Sequence, residues 1–174
     1  MLARLLVCAL LIGTFGITSA QETPAPAPQQ PAARQLTPEQ RAAIQKQNQV
    51  LEKYAESIIA MIDNGQIGQV WDEASEVAKH SVGRDQFVKT IEGERSKLGK
   101  VGSRKLTTIN RSLSKGGKLP EGMYVNVNYA TQFANQPKPI RELVSFHLDG
   151  DKKWRLSGYT VFFFFKQKTA YEIS

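Results

Sequence analysis

The hydrophobic residues of this chain follow one period before Gly99 and a different period after it. Downstream, apolar and polar residues alternate, which is the spacing of strands with one buried face. Helices that come first and strands that follow predict an α+β fold, in which the helices cover one face of a curved antiparallel sheet. Upstream, apolar residues recur every three or four positions, as on one helix face, and include Val50, Leu51, Tyr54, Ala55, Ile58, Ile59 and Ile62.

Local signals set the ends of the predicted helices. Thr37 and Gln40 form a predicted capping box at the start of a first helix, which Asn64-Gly65 ends. A second, shorter helix is expected over 66–79 and a third over 84–98.

Four strands are predicted after the helices, at 104–113, 123–133, 140–148 and 154–161. Short segments that contain Gly or Pro separate these strands, which is typical of antiparallel neighbours. We therefore expect a four-stranded meander.

The first twenty residues have the features of an export signal. Arg4 supplies a positive charge, Leu5 to Ile17 is a nearly continuous apolar run, and Thr18-Ser19-Ala20 offers small residues for cleavage. The apolar run is shorter than the roughly 20 residues that a membrane-spanning helix needs, so no transmembrane anchor is expected in the mature chain. The single cysteine, Cys8, lies inside this run. We expect an exported protein, periplasmic or secreted.

Composition divides the remainder of the chain. Residues 21–36 are rich in Pro, Ala and Gln, which favours an extended, disordered linker. Residues 37–161 suffice for a single α+β domain with one core. Residues 162–174 begin with four phenylalanines that break the alternation of the strands, and the segment resembles the translation of a sequencing adapter. We interpret this tail as an artefact, and a genuine apolar edge strand is the alternative.

Short motifs in a fixed order carry a resemblance to a known family. The motifs span Ala55 to Tyr159 and include Val70-Trp71-Asp72, Ala74-Ser75, Phe87, Glu94-Arg95, Leu98-Gly99, Ser103-Arg104, Leu119 to Tyr124, Glu142 and Trp154 to Tyr159. With these motifs the chain resembles a bacterial exported family catalogued as domain of unknown function 4019, which implies no established activity and no catalytic residues. The order of helices and strands is also similar to the cone-shaped fold of nuclear transport factor 2-like proteins, in which a bent sheet wraps a helix and leaves a pocket; such cones include enzymes and binders alike.

Catalysis on such a cone needs a general base and a polarising Tyr or His that project into the pocket. Asp63, Tyr54, Tyr124 and His147 are the candidates of suitable type, although nothing in the sequence makes them converge. Asp63 is more simply a residue at a helix end. The sequence has no His-Glu-x-x-His, Gly-x-Ser-x-Gly or phosphate-binding glycine motif.

Other chemistry-bearing residue types have simpler interpretations. His80 and His147 are isolated and lack the clustered partners that a metal needs, so we expect neither a metal nor a cofactor. Trp71, Trp154 and Tyr159 are expected to belong to the core and not to a ligand cage, because aromatic side chains at these spacings bury large areas.

Basic residues are concentrated in a strip from Arg95 to Lys118, which contains no acidic residue. Within this basic strip, Arg104, Lys105 and Arg111 are candidate ligands for an anionic partner such as a lipid headgroup. The alternative is a solvated strand whose charge serves solubility. We expect no nucleic-acid partner, because the strip lacks the interleaved aromatic residues of single-strand binders.

These features predict a non-catalytic module that binds a small ligand or a protein of the cell envelope. A small pocket enzyme, isomerase- or dehydratase-like, is the alternative, and a basic-strip binder of anionic envelope surfaces is the second alternative. A binder needs an apolar cavity with polar anchors, whereas an enzyme also needs a titratable group within reach of its ligand. Homodimerisation is a further hypothesis, through a sheet face that carries Tyr124, Asn126, Asn128 and Gln132.

Overall fold

The structure, a computed structural model, describes residues 36–162. The predicted signal peptide at 1–20 and residues 21–35 of the predicted linker lie outside the described residues. Of the segment interpreted as an artefact, only Phe162 is described.

The first helix, α1 (Pro38–Asp63), begins with the predicted capping box. The Thr37 hydroxyl accepts the Gln40 N–H at 3.2 Å, and the Gln40 side chain accepts the Thr37 N–H at 2.9 Å. These two bonds satisfy backbone donors that an isolated helix end leaves unpaired. Asn64 follows the last residue of the helix, as predicted, and the buried face consists of Leu51, Ala55, Ile58, Ile59 and Ile62.

Three shorter helices follow: α2 (Ile67–Asp72), α3 (Glu76–Ser81) and α4 (Arg84–Leu98). The prediction of α4 is confirmed, but the prediction of one helix over 66–79 is wrong. Ser75 interrupts it with an extended backbone, φ −60° and ψ 147°, and its hydroxyl accepts the Val77 N–H at 3.2 Å. Serine in this conformation caps a new helix, so it separates α3 from α2.

The predicted four-stranded meander and the α+β class are confirmed. The strands β1 (Val101–Ser114), β2 (Gly122–Phe133), β3 (Ile140–Leu148) and β4 (Trp154–Phe162) form one antiparallel sheet in the order β1-β2-β3-β4. On β4, Gly158 pairs with Ser145 and Leu156 pairs with Phe146, so Ser157 is an extra, bulged residue.

The face of the sheet toward α1 is largely apolar, as the alternation along β2 predicts. Tyr54 on α1 stacks on Phe146 of β3, with ring centroids 5.1 Å apart. The Tyr129 hydroxyl on β2 donates to the Glu52 carbonyl of α1 at 3.4 Å. The core therefore lies between α1 and this inner face, and β2 contributes Val125, Val127, Tyr129, Thr131 and Phe133 to it.

The aromatic residues expected in the core pack there. Tyr159 is buried within the core cluster, and Trp71 and Trp154 are half-buried against it. The indole N–H of Trp71 donates to the Val82 carbonyl at 3.1 Å, which satisfies its one polar group. Across residues 36–162, no helix combines the length and the apolar character that crossing a bilayer requires.

The packing of α1 predicts a large difference between two of its apolar residues. Ile59 is 0 % exposed and Val50 is 61 % exposed. We expect Ile59→Ala to lower the free energy of unfolding by about 3 kcal/mol, because it removes buried methyl groups and leaves a cavity. Val50→Ala should change that free energy by less than about 0.5 kcal/mol. Urea denaturation followed by circular dichroism measures both, and equal losses would contradict the burial of this helix face.

Candidate functional site

The acid–base candidates on α1 do not face a common point. Asp63 and Tyr54 are separated by about 13 Å of helix rise. The Asp63 carboxylate forms ion pairs with Arg95 and Arg104. Tyr54 instead stacks on Phe146. Neither side chain is therefore placed to exchange a proton with the other.

Tyr124 and His147 are brought together, since they are cross-strand partners on β2 and β3 with ring centroids 4.9 Å apart. The Tyr124 hydroxyl donates to the Pro120 carbonyl at 3.0 Å, and burial raises the pKa of this phenol. His147 donates from Nδ1 to Asp149 at 2.7 Å. Among the described residues its Nε2 has no hydrogen-bond partner, and it lies against the backbone of Gly122, where a Cβ would come within 2.2 Å of it. This pair is thus held by protein contacts on both sides.

Ser75, His147 and Asp149 have the residue types of a hydrolytic triad but not its connections. In a triad the histidine lies between the serine and the acid. Here Ser75 Oγ donates directly to Asp149 Oδ1, the same oxygen that accepts from His147. Ser75 is fully buried, and its N–H donates to the Leu156 carbonyl at 2.9 Å. The cluster joins the start of α3 to the sheet and does not form a nucleophile.

Asp149 is the centre of this polar cluster. Burial alone would raise the pKa of Asp149, but hydrogen bonds from Ser75, His147 and Arg155 outweigh burial and hold its pKa below the usual range. Arg155 also binds Asp151, and this hydrogen bonding lowers the pKa of Asp151 to about 2.

A second polar cluster lies inside the domain, around Glu142 on β3, whose side chain is 0 % exposed. Its Oε2 accepts from Arg104 Nε and from the Thr131 hydroxyl, both at 2.6 Å. Its Oε1 accepts from the Tyr159 hydroxyl at 2.6 Å. Burying a carboxylate is costly unless it is paired and hydrogen-bonded, so these contacts are what allow Glu142 to be buried.

Two arginines and a second carboxylate complete the Glu142 cluster. Arg104 Nη1 reaches Asp63 at 3.2 Å, and Arg95 Nη1 lies 3.5 Å from Glu142 Oε1. The Arg95 guanidinium also lies 4.6 Å from the centre of the Phe133 ring. Two cations and two anions alternate here, so their formal charges balance.

The local electrostatics keep the hydrogen bonds of this cluster in place. Desolvation would lower the pKa of Arg104, but its hydrogen bonds and charge contacts with Glu142 and Asp63 together outweigh desolvation and raise it. Burial, and then the negative charge of Glu142, raise the pKa of Tyr159, so its hydroxyl remains protonated as a donor. Glu142 was not predicted to be a polar centre, although an acidic residue at an inner-face position between the apolar Ile140 and Val144 is a signal that the sequence contains.

The three anion-binding candidates of the basic strip are not brought together. Arg104 points inward to Glu142 and Asp63. Arg111 donates to the side chains of Gln47, at 2.8 Å, and Asn48 on α1. Lys105 alone is exposed. The strip therefore does not form one continuous basic surface.

Two hollows meet beside the bulge of β4 at Ser81, Ser157 and Gly158, and we call them together the β4 groove. One, of about 210 Å³, has a mainly apolar surface, and the other, of about 270 Å³, is lined by more polar side chains, so we call it the polar hollow. No carboxylate or imidazole among the described residues lines either hollow. The apolar hollow includes Ala78, Val82, Phe87, Ile91 and Tyr159, and the polar hollow includes Ser112, Lys118, Tyr124, Asn126 and Ser145.

Two wider depressions are bordered by the ion clusters. One, of about 590 Å³, lies beside Asp149 and Arg155, and another, of about 450 Å³, lies beside Asp63 and Arg95. Their charged groups are largely engaged with one another. Within residues 36–162, no group of three or more potential metal ligands occurs.

The fold and these clusters define an α+β protein in which helices cover an antiparallel meander and a buried ion cluster joins the two layers. A family model described as a protein of unknown function, DUF4019, matches residues 54–159, which is more than half of the chain. The chain belongs to this family. The match includes the Glu142 cluster and the strand β4 as far as Tyr159. No curated protein matches the chain.

The polar cluster at Asp149 predicts a specific dependence of stability on pH. Because the pKa of Asp149 is lower in the folded chain than the usual value of about 3.9, its contribution is present above about pH 4 and is lost as the pH falls. We expect Asp149→Asn to be less stable than the wild type at pH 7 and the difference to shrink toward pH 2. Urea denaturation across this range measures the effect. Glu121→Gln, which changes an exposed acid, should keep the wild-type dependence, and a constant difference for Asp149→Asn would refute the assignment.

Proposed function

We propose that this protein is exported and acts in the cell envelope, periplasmic or secreted, as a non-catalytic module that binds a small molecule. Export is supported by the charged and apolar pattern of residues 4–20. The β4 groove is the proposed ligand site.

The composition of the groove carries this proposal. Phe87, Ile91 and Val82 provide an apolar surface, while Asn126 and Ser145 provide hydrogen-bonding groups at the polar end. An apolar hollow with a few polar anchors is the usual composition of a small-molecule site. The ligand that fits has an apolar part and a smaller polar part.

The available titratable groups favour binding over catalysis. Of the four acid–base candidates, only Tyr124 lines the groove, and its hydroxyl is bound to the Pro120 carbonyl. Its raised pKa makes it a poor base at neutral pH. Asp63 is occupied by Arg95 and Arg104. An isomerase- or dehydratase-like reaction would need a base that this groove does not supply from the described residues.

A second part of the proposal concerns the shape of the fold. We propose a cone comparable to that of nuclear transport factor 2-like proteins, supported by helices that cover one face of the sheet. Beneath the centre of that sheet, Glu142 and the stacked Tyr54 and Phe146 fill the space, so the ligand site is placed at the β4 edge.

The homodimer hypothesis concerns the opposite, outer face of the sheet. There Asn126 accepts from Ser145 and Asn128 accepts from Arg141, both at 2.7 Å. The side-chain oxygens of Asn126 and Asn128 are thus engaged within the chain, and a second copy that paired through this face would have to use other polar groups.

Gly158 allows the proposed site to be blocked without strain. A Cβ at Gly158 would meet no atom of residues 36–162 within 4 Å. We expect Gly158→Leu to fill the groove and to weaken binding of the amphiphilic dye 8-anilinonaphthalene-1-sulfonate by about tenfold or more, since it removes the burial of one apolar group. Fluorescence titration measures the dissociation constant, and native mass spectrometry shows whether a co-purifying mass is lost with it.

Two variants control this experiment. Gly93→Leu adds the same side chain at an exposed position of α4 that also has no atom within 4 Å of its Cβ. Leu113→Ser removes an exposed apolar residue outside the groove lining. Both should bind the dye like the wild type. If Gly158→Leu binds equally well, the β4 groove is not the site.

A further inference from the structure

The end of the β1–β2 hairpin, residues 113–123, exposes a group of large apolar side chains, and we call it the hairpin tip. Leu113 is 67 % exposed, Leu119 is 54 % exposed and Met123 is 44 % exposed. Leu113 and Met123 are direct cross-strand partners, so these two side chains adjoin, while Leu119 lies in the turn and borders the polar hollow of the β4 groove. These are half of the exposed large apolar residues of the described chain. Such clustering marks an interaction surface, whereas single exposed apolar residues do not.

Hydrogen bonds within the hairpin tip hold its turn in a defined form. The Ser114 hydroxyl accepts the Gly116 N–H at 3.2 Å and donates to the Leu119 carbonyl at 3.0 Å. Gly116 and Gly117 have φ of 96° and 100°, which only glycine adopts readily. The Tyr124 hydroxyl anchors the adjoining Pro120 carbonyl. Leu119 is therefore presented outward by a bonded turn.

The hairpin tip and its flanking strand carry an excess of positive charge. From residue 105 to residue 123 there are four basic residues and one acid, Glu121, a difference of +3. No ion pair to a carboxylate engages any of these four among the described side chains, and the hydrogen-bond partners of Arg111 are neutral amides. The four basic residues are Lys105, Arg111, Lys115 and Lys118.

We propose that the hairpin tip docks on the surface of an anionic phospholipid bilayer. Leu113, Leu119 and Met123 would lie at the boundary between headgroups and acyl chains, while Lys115 and Lys118 contact lipid phosphates. Apolar side chains interleaved with lysines are the pattern of interfacial membrane contact, because the apolar part gains burial and the lysines gain attraction to anionic headgroups. Lys118 and Leu119 also line the polar hollow of the β4 groove, whereas Leu113, Lys115 and Met123 line neither hollow.

Hydrogen exchange followed by mass spectrometry tests this contact locally on the full chain. The probe is a vesicle of phosphatidylcholine and phosphatidylglycerol at a ratio of about three to one, compared with phosphatidylcholine alone. We expect exchange across 113–123 to slow by about fivefold or more with the anionic vesicle and to stay unchanged with phosphatidylcholine alone. A fivefold change corresponds to the attraction of about one basic residue to an anionic membrane surface. The β2–β3 turn, 134–139, lies at the other end of β2 and should be unaffected. A chain that meets vesicles only through residues 1–35 would leave 113–123 unprotected, and that result overturns the proposal.

Matched variants separate lipid docking from the alternatives. Lys115→Gln/Lys118→Gln and Leu113→Ser/Leu119→Ser should each abolish the protection. Lys100→Gln/Lys138→Gln removes the same charge at the opposite end of the sheet and should retain it. Equal protection in all variants overturns the proposal. Concentration-dependent protection of 113–123 without vesicles, lost in Leu113→Ser/Leu119→Ser, would assign the patch to a second copy of the chain and would also overturn it.

Discussion

The buried pairing of Glu142 with Arg104 is the interaction on which the arrangement of helices and sheet depends. Glu142 has no exposure to solvent, and each of its oxygens accepts a hydrogen bond at 2.6 Å. Arg104 extends the pairing to Asp63 at the end of α1, and Arg95 brings in α4. A carboxylate in this position is costly unless every contact is made, so the cluster penalises any other placement of α1 and α4 over the sheet. Thr131 and Tyr159 fix the carboxylate within the sheet itself.

Because the Glu142 cluster occupies the space between the helices and the sheet, a ligand or a membrane can be contacted only at other parts of the domain. The centre of the inner face is filled by the Glu142 cluster and by the stacked rings of Tyr54 and Phe146. Open space lies instead at the β4 groove, where the bulge at Ser157 disrupts the edge of the sheet. Exposed apolar side chains cluster at the hairpin tip, whose Leu119 also borders the polar hollow of the groove. The proposed ligand site and the proposed membrane contact are thus products of the sheet's irregular parts, its bulged edge and its turn, and not of its regular centre.

Features of the structure that depend on residues close together in the chain could be predicted from the sequence, and features that depend on distant residues could not. The change of period at Gly99 and the capping box at Thr37 are local, and both predicted the structure correctly. Ser75 also caps locally, but the apolar spacing around it outweighed that signal and led to one predicted helix in place of two. The partners of Glu142 lie on other elements of the fold, so no spacing rule identifies them. Likewise, Arg104 and Arg111 were predicted to belong to a basic surface. The register of β1 against β2 turns both side chains toward the inner face, and the order of charges along the sequence does not reveal that register.

A double-mutant cycle on Glu142→Gln and Arg104→Gln, measured by urea denaturation at pH 7, tests this account most directly. We predict that each single variant loses about 3 kcal/mol of unfolding free energy, because each leaves a buried or half-buried charge without its main partner. The double variant should lose much less than the sum, with a coupling energy of about 2 kcal/mol or more. A coupling below about 0.5 kcal/mol, with losses that simply add, would show that the two side chains act independently and would contradict the claim that this ion pair holds the helices on the sheet.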